Sequence, residues 1–476
     1  MENELTSKST LTNPFTEAPD GKKRLILFAI FVAILGSMMQ SSTLSTMLPM
    51  AAGEIGGKDY YSLASTIGAP LSIAAMPLWG YIAARSPHLK VPLFMASMAA
   101  GVVTMVLRLF APSMAMVIVA MVFWGFVSPG IFVVGYALIR DMYDAQKAGV
   151  YLGVCSTLMM IAMIAGPVGA GALMTYVGWR SLNIFILPFM VLALVLPIFG
   201  VKVTKEQAAH LAYGGGAFDI LGTVALTIGL GGLILYLSMG TSLLPFLSLG
   251  SNVLLAVTIA ALALMVGVII KKKESAIIPA QALRNRNVLA FTAANFCANF
   301  SNMAAFFFLP SFIIYVLGGT GTDSGLVMAC FSVVGVFLGP IVGKAIGKSG
   351  SAKLMLSASA VLRVVVSLSL ILVLANFPTV PALMGMMLVA GLYNSLHGVS
   401  FSAGPQVQLP GELRVQGNSV IQCGQNFGSG VGTAVYTVII GMFGITGGMP
   451  VALIVAAVFG GLTLLFAMTL KKLPQA

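Results

Sequence analysis

Tyr393, His397 and Ser400 stand at offsets i, i+4 and i+7 in a strongly apolar stretch, a spacing that puts three polar side chains on one helical face. An imidazole changes charge near neutral pH, and an ionisable group inside an apolar run marks a substrate or proton path by default. His397 is therefore the candidate proton-coupling residue, with Tyr393 beside it as a candidate substrate contact. The bland alternative is a neutral histidine bonded to a carbonyl or to Tyr393. Arg363 lies in the middle of the preceding apolar run, where a guanidinium costs at least ~2.5 kcal/mol. It needs an acceptor, a water-filled cavity or an anionic solute, and a bond to neighbouring carbonyls is its structural reading. Asn295, Asn299 and Asn302 repeat the helical spacing; Gln422, Gln425, Asn426 and Ser429 form another polar face, and Ser37 with Gln40 a third. Amides can bind a solute but exchange no proton in this range. As interhelical glue they contribute only ~0.6 kcal/mol each. Taken together, Gln40, Asn295, Asn299, Asn302, Arg363, Tyr393, His397, Gln422 and Asn426 predict one shared aqueous binding site, with the methionines and Phe306, Phe307 and Phe308 as an adaptable apolar wall.

The elements that carry these residues follow from hydropathy. Of 476 residues 58% are hydrophobic and 8% charged, with a mean hydropathy of +1.01, whereas a soluble domain is about a quarter charged. The apolar residues fall in runs of helix-spanning length, not the ~10-residue alternating segments of a β-barrel. The fold class is all-α integral membrane, with fourteen transmembrane helices at 25–50, 60–83, 92–111, 114–139, 150–177, 182–201, 218–238, 250–270, 288–316, 325–346, 354–375, 382–407, 417–443 and 448–470. Polar residues 1–24 and 471–476 form tails, and no cleavable signal is expected. With the N-terminus inside, 21 of the 25 Lys and Arg fall on the inner side, which predicts both termini in the cytoplasm of a plasma or inner cell membrane. That basic face should attract anionic lipid, and it explains the net charge of +12 without nucleic acid. Arg108, near the outer end of the third span, is expected to snorkel. No metal-ligand spacing, cofactor motif or nucleophile–base arrangement is seen; the four cysteines read as core residues.

Gly80, Arg85, Ser86 and Lys90 after the second span recur as Gly343, Lys348, Ser349 and Lys353 after the tenth. Asp144, Lys147 and Gly149 are echoed by Glu412, Arg414 and Gly417. Such repeats suggest two six-span bundles, 25–201 and 288–470, joined by a linker with two extra helices at 202–287, and a site between the bundles. With Gly153, Gly166, Pro167 and Gly171 in span 5, Trp179-Arg180 before span 6 and Phe218-Asp219 with Gly222 opening span 7, the chain resembles the major facilitator superfamily, in its fourteen-span drug:proton antiporter-like branch. The resemblance covers nearly the whole chain. It implies that Gly80, Arg85, Lys90, Gly166, Pro167, Gly171, Gly343 and Lys348 take part in gating. It also marks departures: Gln40 stands where the branch has an aspartate, Met121 where it has an arginine, and Ala84 where loop 2–3 has an aspartate.

All thirteen acids fall in the tail or near span ends, so no midplane carboxylate balances a cationic solute. The expected function is proton-coupled secondary transport of an amphipathic organic solute by a monomer. An organic anion, bile-acid-like or another carboxylate, is preferred, and the direction is open. Multidrug or tetracycline-type efflux is the alternative within the class; a transporter-like receptor or membrane assembly protein is the alternative outside it. No enzymatic chemistry is expected.

Overall fold

The computed structural model describes residues 13–57, 60–211, 219–240, 244–273, 276, 280–410 and 414–472. Thirteen of its helices are long and apolar enough to cross a membrane. The last, Arg414–Met468, has 55 residues, about 80 Å at 1.5 Å per residue against an apolar core of about 30 Å. Gly444 breaks it with φ 68° and ψ 170°, so it makes two crossings and the total among the described residues is fourteen. In order they are span 1 (Asp20–Ile55), span 2 (Gly68–Arg85, after the short Tyr61–Thr66), span 3 (Lys90–Leu109), span 4 (114–142), span 5 (145–177), span 6 (Ser181–Val195), span 7 (Ile220–Met239), span 8 (Leu249–Lys272), span 9 (Arg286–Tyr315), span 10 (Gly321–Ser349), span 11 (Lys353–Asn376), span 12 (Val380–Gln408), and spans 13 and 14 on either side of Gly444. An even number brings both termini to one end of the molecule, here called the termini end.

Side-chain caps set where several spans begin. Asp144, Asp219 and Ser248 accept from the third backbone N–H beyond them, and Thr320 with Asp323 forms a reciprocal capping box, each supplying an acceptor to an otherwise orphaned donor. Gly350 ends span 10 in the left-handed conformation, which costs a residue without Cβ nothing. Spans 4 and 5 each contain a π-turn, Gly130–Gly135 and Gly166–Ala170, the second opening on Gly166 and Pro167.

One apolar core, containing Met39, Met47, Met174, Phe307, Phe312 and Tyr393, runs through both the first six and the last six spans. Towards the termini end it divides. One core packs spans 1, 3 and 4 around Phe94 and Ile131, and a separate one packs spans 9, 10 and 12 around Phe291 and Phe401. The two sets of six spans are joined at the far end and part towards the termini end. Span 7 bridges them: Gly231 lies against Pro70 of span 2, Gly430 of span 13 lies against Ile234, and Thr66 and Ser238 share a 2.9 Å hydrogen bond. Span 8 packs on span 7, and the Lys272–Asp219 ion pair at 2.8 Å closes this inserted pair at the termini end.

Candidate functional site

The far-end junction is built from small residues. A methyl group on Gly171 would stand 2.8 Å from the Gly321 carbonyl oxygen, and one on Gly325 would stand 2.0 Å from the carbonyl oxygen of Pro167. The backbones of spans 5 and 10 therefore touch directly, the close approach that glycine permits. Gly166 packs as tightly on Met39 of span 1. Hydrogen bonds flank the seam: Thr46 to Ser324 at 3.0 Å, the Thr322 N–H to Thr175 at 2.9 Å, and the Tyr315 hydroxyl to the Pro49 carbonyl at 2.5 Å. Of the residues expected to act in gating, Pro167 and Gly171 thus lie in the closed seam, and Gly166 packs span 5 on span 1 within the first half.

The other residues expected to act in gating lie at the termini end and make their contacts within their own half. Lys90 is ion-paired with Asp141 of span 4. Arg85 donates to the Tyr81 hydroxyl at 2.7 Å. Gly343 faces Val399 of span 12, and Lys348 is exposed. A tail helix, Pro14–Glu17, is docked on the Lys90–Asp141 pair: Thr16 donates to the Asp141 carbonyl at 2.8 Å, and Phe15 is buried against the span 3 and 4 core.

Between seam and termini end, polar and apolar groups meet across the halves. The Asn426 amide of span 13 lies 3.7 Å from the Met76 sulfur of span 2. Gln422, Gln425, Asn426 and Ser429 are all part-exposed, as are Met76 and Trp79 on span 2. Ser41 is exposed in the middle of otherwise buried span 1, and Asn394, Gly398 and Ser402 form an open stripe on span 12. Ser41 and Asn394 went unselected in the sequence, where nothing distinguishes an open residue from a buried one a third of a turn away.

The remaining expected site residues are turned elsewhere. Gln40 is fully buried, and neither atom of its amide has a partner. Asn295 donates to the Ile421 carbonyl at 3.0 Å, and Asn299 donates to Asn295 at 2.8 Å. Both are spent on bonds inside the last six spans. The His397 ring faces Asn299 at 3.5 Å and packs edge-on against Phe401, not against Tyr393. Arg363 reaches inward, donating to the Ala298 carbonyl at 2.8 Å and to Asn302 at 2.9 Å, with its guanidinium 4.4 Å from the Tyr393 ring centre. The span 9 amides, Arg363, Tyr393 and His397 thus form one polar cluster inside the C-terminal half, apart from the cleft-facing amides of span 13. Arg108 does not snorkel. It is fully buried, and all three of its guanidinium nitrogens lack a partner among the described residues, because span 3 turns that face towards its neighbours.

A family model described as the Major Facilitator Superfamily matches residues 27–289 and 291–476. The chain is similar to the MFS-type transporter sphD of Aspergillus fumigatus, 28% identical over 231 residues, 47% of this chain and 40% of that one. It is similar to the multidrug export protein EmrB of Escherichia coli, 24% identical over 331 residues, 67% of this chain and 61% of that one. The aligned part is thus about half the length of these relatives. The crystal structure of a POT family transporter in complex with 5-aminolevulinic acid superposes with a TM-score of 0.64 at 12% identity, covering 93% of this chain and 96% of that one, a likeness of fold.

Proposed function

The chain belongs to the Major Facilitator Superfamily, a multi-pass family of small-solute transporters and not of enzymes, and from that premise we propose that it is a proton-coupled exporter of amphipathic organic solutes that prefers anions. The observation that carries the preference is the cleft lining. Around the Asn426–Met76 contact the part-exposed polar groups Gln422, Gln425 and Asn426 are neutral, Met76 and Trp79 of span 2 supply a thioether and an aromatic ring, and the acids sit at span ends. A cation entering such a site would give up water for no counter-charge. Export is supported by relatives such as EmrB, named as a multidrug export protein. In this reading 25–201 and 288–470 are two bundles that rock about the cleft, and 202–287 is the linker with its two inserted helices. The termini end is cytoplasmic, as the distribution of basic residues favours, and meets anionic lipid in the cell membrane. The working unit is a monomer.

His397 is the proposed proton carrier, since no other histidine and no acid lies mid-span. It sits one residue behind the open stripe of Asn394, Gly398 and Ser402. Flux in proteoliposomes under an imposed pH gradient tests both parts. Matched anionic amphiphiles should compete better than cationic ones, and stronger inhibition by lipophilic cations would sink the anion preference. His397→Gln should keep equilibrium exchange but lose the response to the gradient. If the variant still concentrates substrate, coupling runs through an interfacial acid such as Asp141, Asp219 or Asp323, or through another ion. A second reading, multidrug efflux with little regard to charge, is favoured by the name of EmrB and by the Met76 thioether at the cross-half contact, since thioethers suit varied ligands. Equal competition by anions and cations would select it.

A further inference from the structure

Arg363 presents a charge problem that its neighbours do not solve. It is 1% exposed, and only one of its three nitrogens is bonded. That nitrogen donates to two neutral oxygens, the Ala298 carbonyl and the Asn302 side chain, while Nε and Nη2 have no partner. An arginine stays charged in a protein, and an unpaired charge held away from water is costly unless hydrogen bonds and an opposite charge offset it. Spans 9, 11, 12, 13 and 14, which surround it, carry no Asp or Glu within their apolar lengths.

A second unpartnered group lies next to it. The Tyr436 side chain of span 13 is fully buried and its hydroxyl has no hydrogen-bond partner. Its ring centre is 5.2 Å from that of Phe300, which lies between the two span 9 residues that accept from Arg363, and Phe300 stacks at 3.8 Å on Phe459 of span 14. The next residue, Gly460, lines the arginine stem: a Cβ there would be 3.5 Å from its Cγ and Cδ. The Tyr393 ring lies under the guanidinium, 4.4 Å from it, which contributes attraction but no hydrogen-bond acceptor.

We propose that Arg363 and Tyr436 hold a small inorganic anion of halide size inside the C-terminal half, apart from the transport cleft. The guanidinium Nε–H and Nη2–H on span 11 and the phenolic O–H on span 13 are buried donors without partners among the described residues, and the anion supplies the charge that five spans lack. Arg363 and Tyr436 are both buried, which limits the ligand to one that sheds its whole water shell and excludes an amphipathic organic acid. The anion would neutralise the bundle interior and fix spans 9, 11 and 13 together, so its loss would loosen that half as a unit. The proposal is independent of the solute that crosses the cleft.

The test is thermal unfolding of the full-length purified protein in sodium bromide, chloride or gluconate at equal ionic strength, with anomalous diffraction from bromide-grown crystals. Bromide and chloride should raise Tm saturably over gluconate, and a bromide peak should stand beside Arg363. Arg363→Gln should abolish the halide response. Tyr436→Phe preserves the packing and removes one donor to a charged ligand; it should weaken apparent halide affinity by about tenfold or more, and it decides the matter if the arginine variant does not fold. Equal Tm in halide and gluconate would mean that water solvates the arginine, and would overturn the proposal. So would a wild-type response in Tyr436→Phe, or a bromide peak only elsewhere.

Discussion

Adding one methyl group to the seam should open the end of the molecule that the structure shows closed. In Gly325→Ala the new Cβ would meet the Pro167 carbonyl oxygen at 2.0 Å, where ordinary contact begins near 3.4 Å. The obstacle is main chain held in a π-turn, so no rotamer change relieves it; spans 5 and 10 must move apart by more than about 1 Å. Overpacking of this kind costs about 1–3 kcal/mol. The penalty falls only on the closed seam, so it shifts the balance roughly 5- to 150-fold towards the state open at that end. Gly347→Ala is the control. It lies in the same helix with nothing within 4 Å of a Cβ, so it carries the helix-propensity gain alone. Spin labels at Tyr176→Cys and Phe377→Cys, exposed on opposite halves at the seam end, with the four native cysteines replaced, would report the separation. Gly325→Ala should populate longer distances and Gly347→Ala should not. Superimposable distributions for Gly325→Ala and wild type would refute the idea that this contact sets the equilibrium.

Phe246, between spans 7 and 8, should as Phe246→Cys react with a membrane-impermeant thiol reagent from the side opposite the termini; reaction only from the termini side would remove the fourteen-span topology. Phe15→Ala should lower Tm by the equivalent of about 3–5 kcal/mol, because the ring is 1% exposed against spans 3 and 4; an unchanged Tm would show that the tail helix is not docked in the membrane-embedded protein. Arg108→Met should leave Tm unchanged or raise it, since an apolar side chain of similar length replaces a buried charge with no partner. A fall in Tm would mean that Arg108 is compensated by a bound group.

Much of the fold was legible in the sequence because the signal is local. A helix must satisfy its backbone within itself to cross lipid, so apolar length alone located the fourteen spans. The break expected between 443 and 448 falls at Gly444, and the glycines of span 5 mark a helix–helix contact because only a missing side chain allows one. Spacing also decided which residues share a face: Asn295, Asn299 and Asn302 stay together, as do Gln422 and Asn426. Spacing could not say where each face turns. In a soluble helix the apolar side points to the core. In a membrane both the core and the lipid are apolar, so the pattern carries no arrow. Ser41 therefore faces open space while Gln40, the next residue, is sealed in; Arg108 is enclosed instead of reaching an interface; and the span 9 amides serve their own half while those of span 13 meet the cleft. Only the packing of spans 1, 9 and 13 against their partners fixes those rotations, and with them the separation of a buried cationic cluster from the surface that a solute would touch.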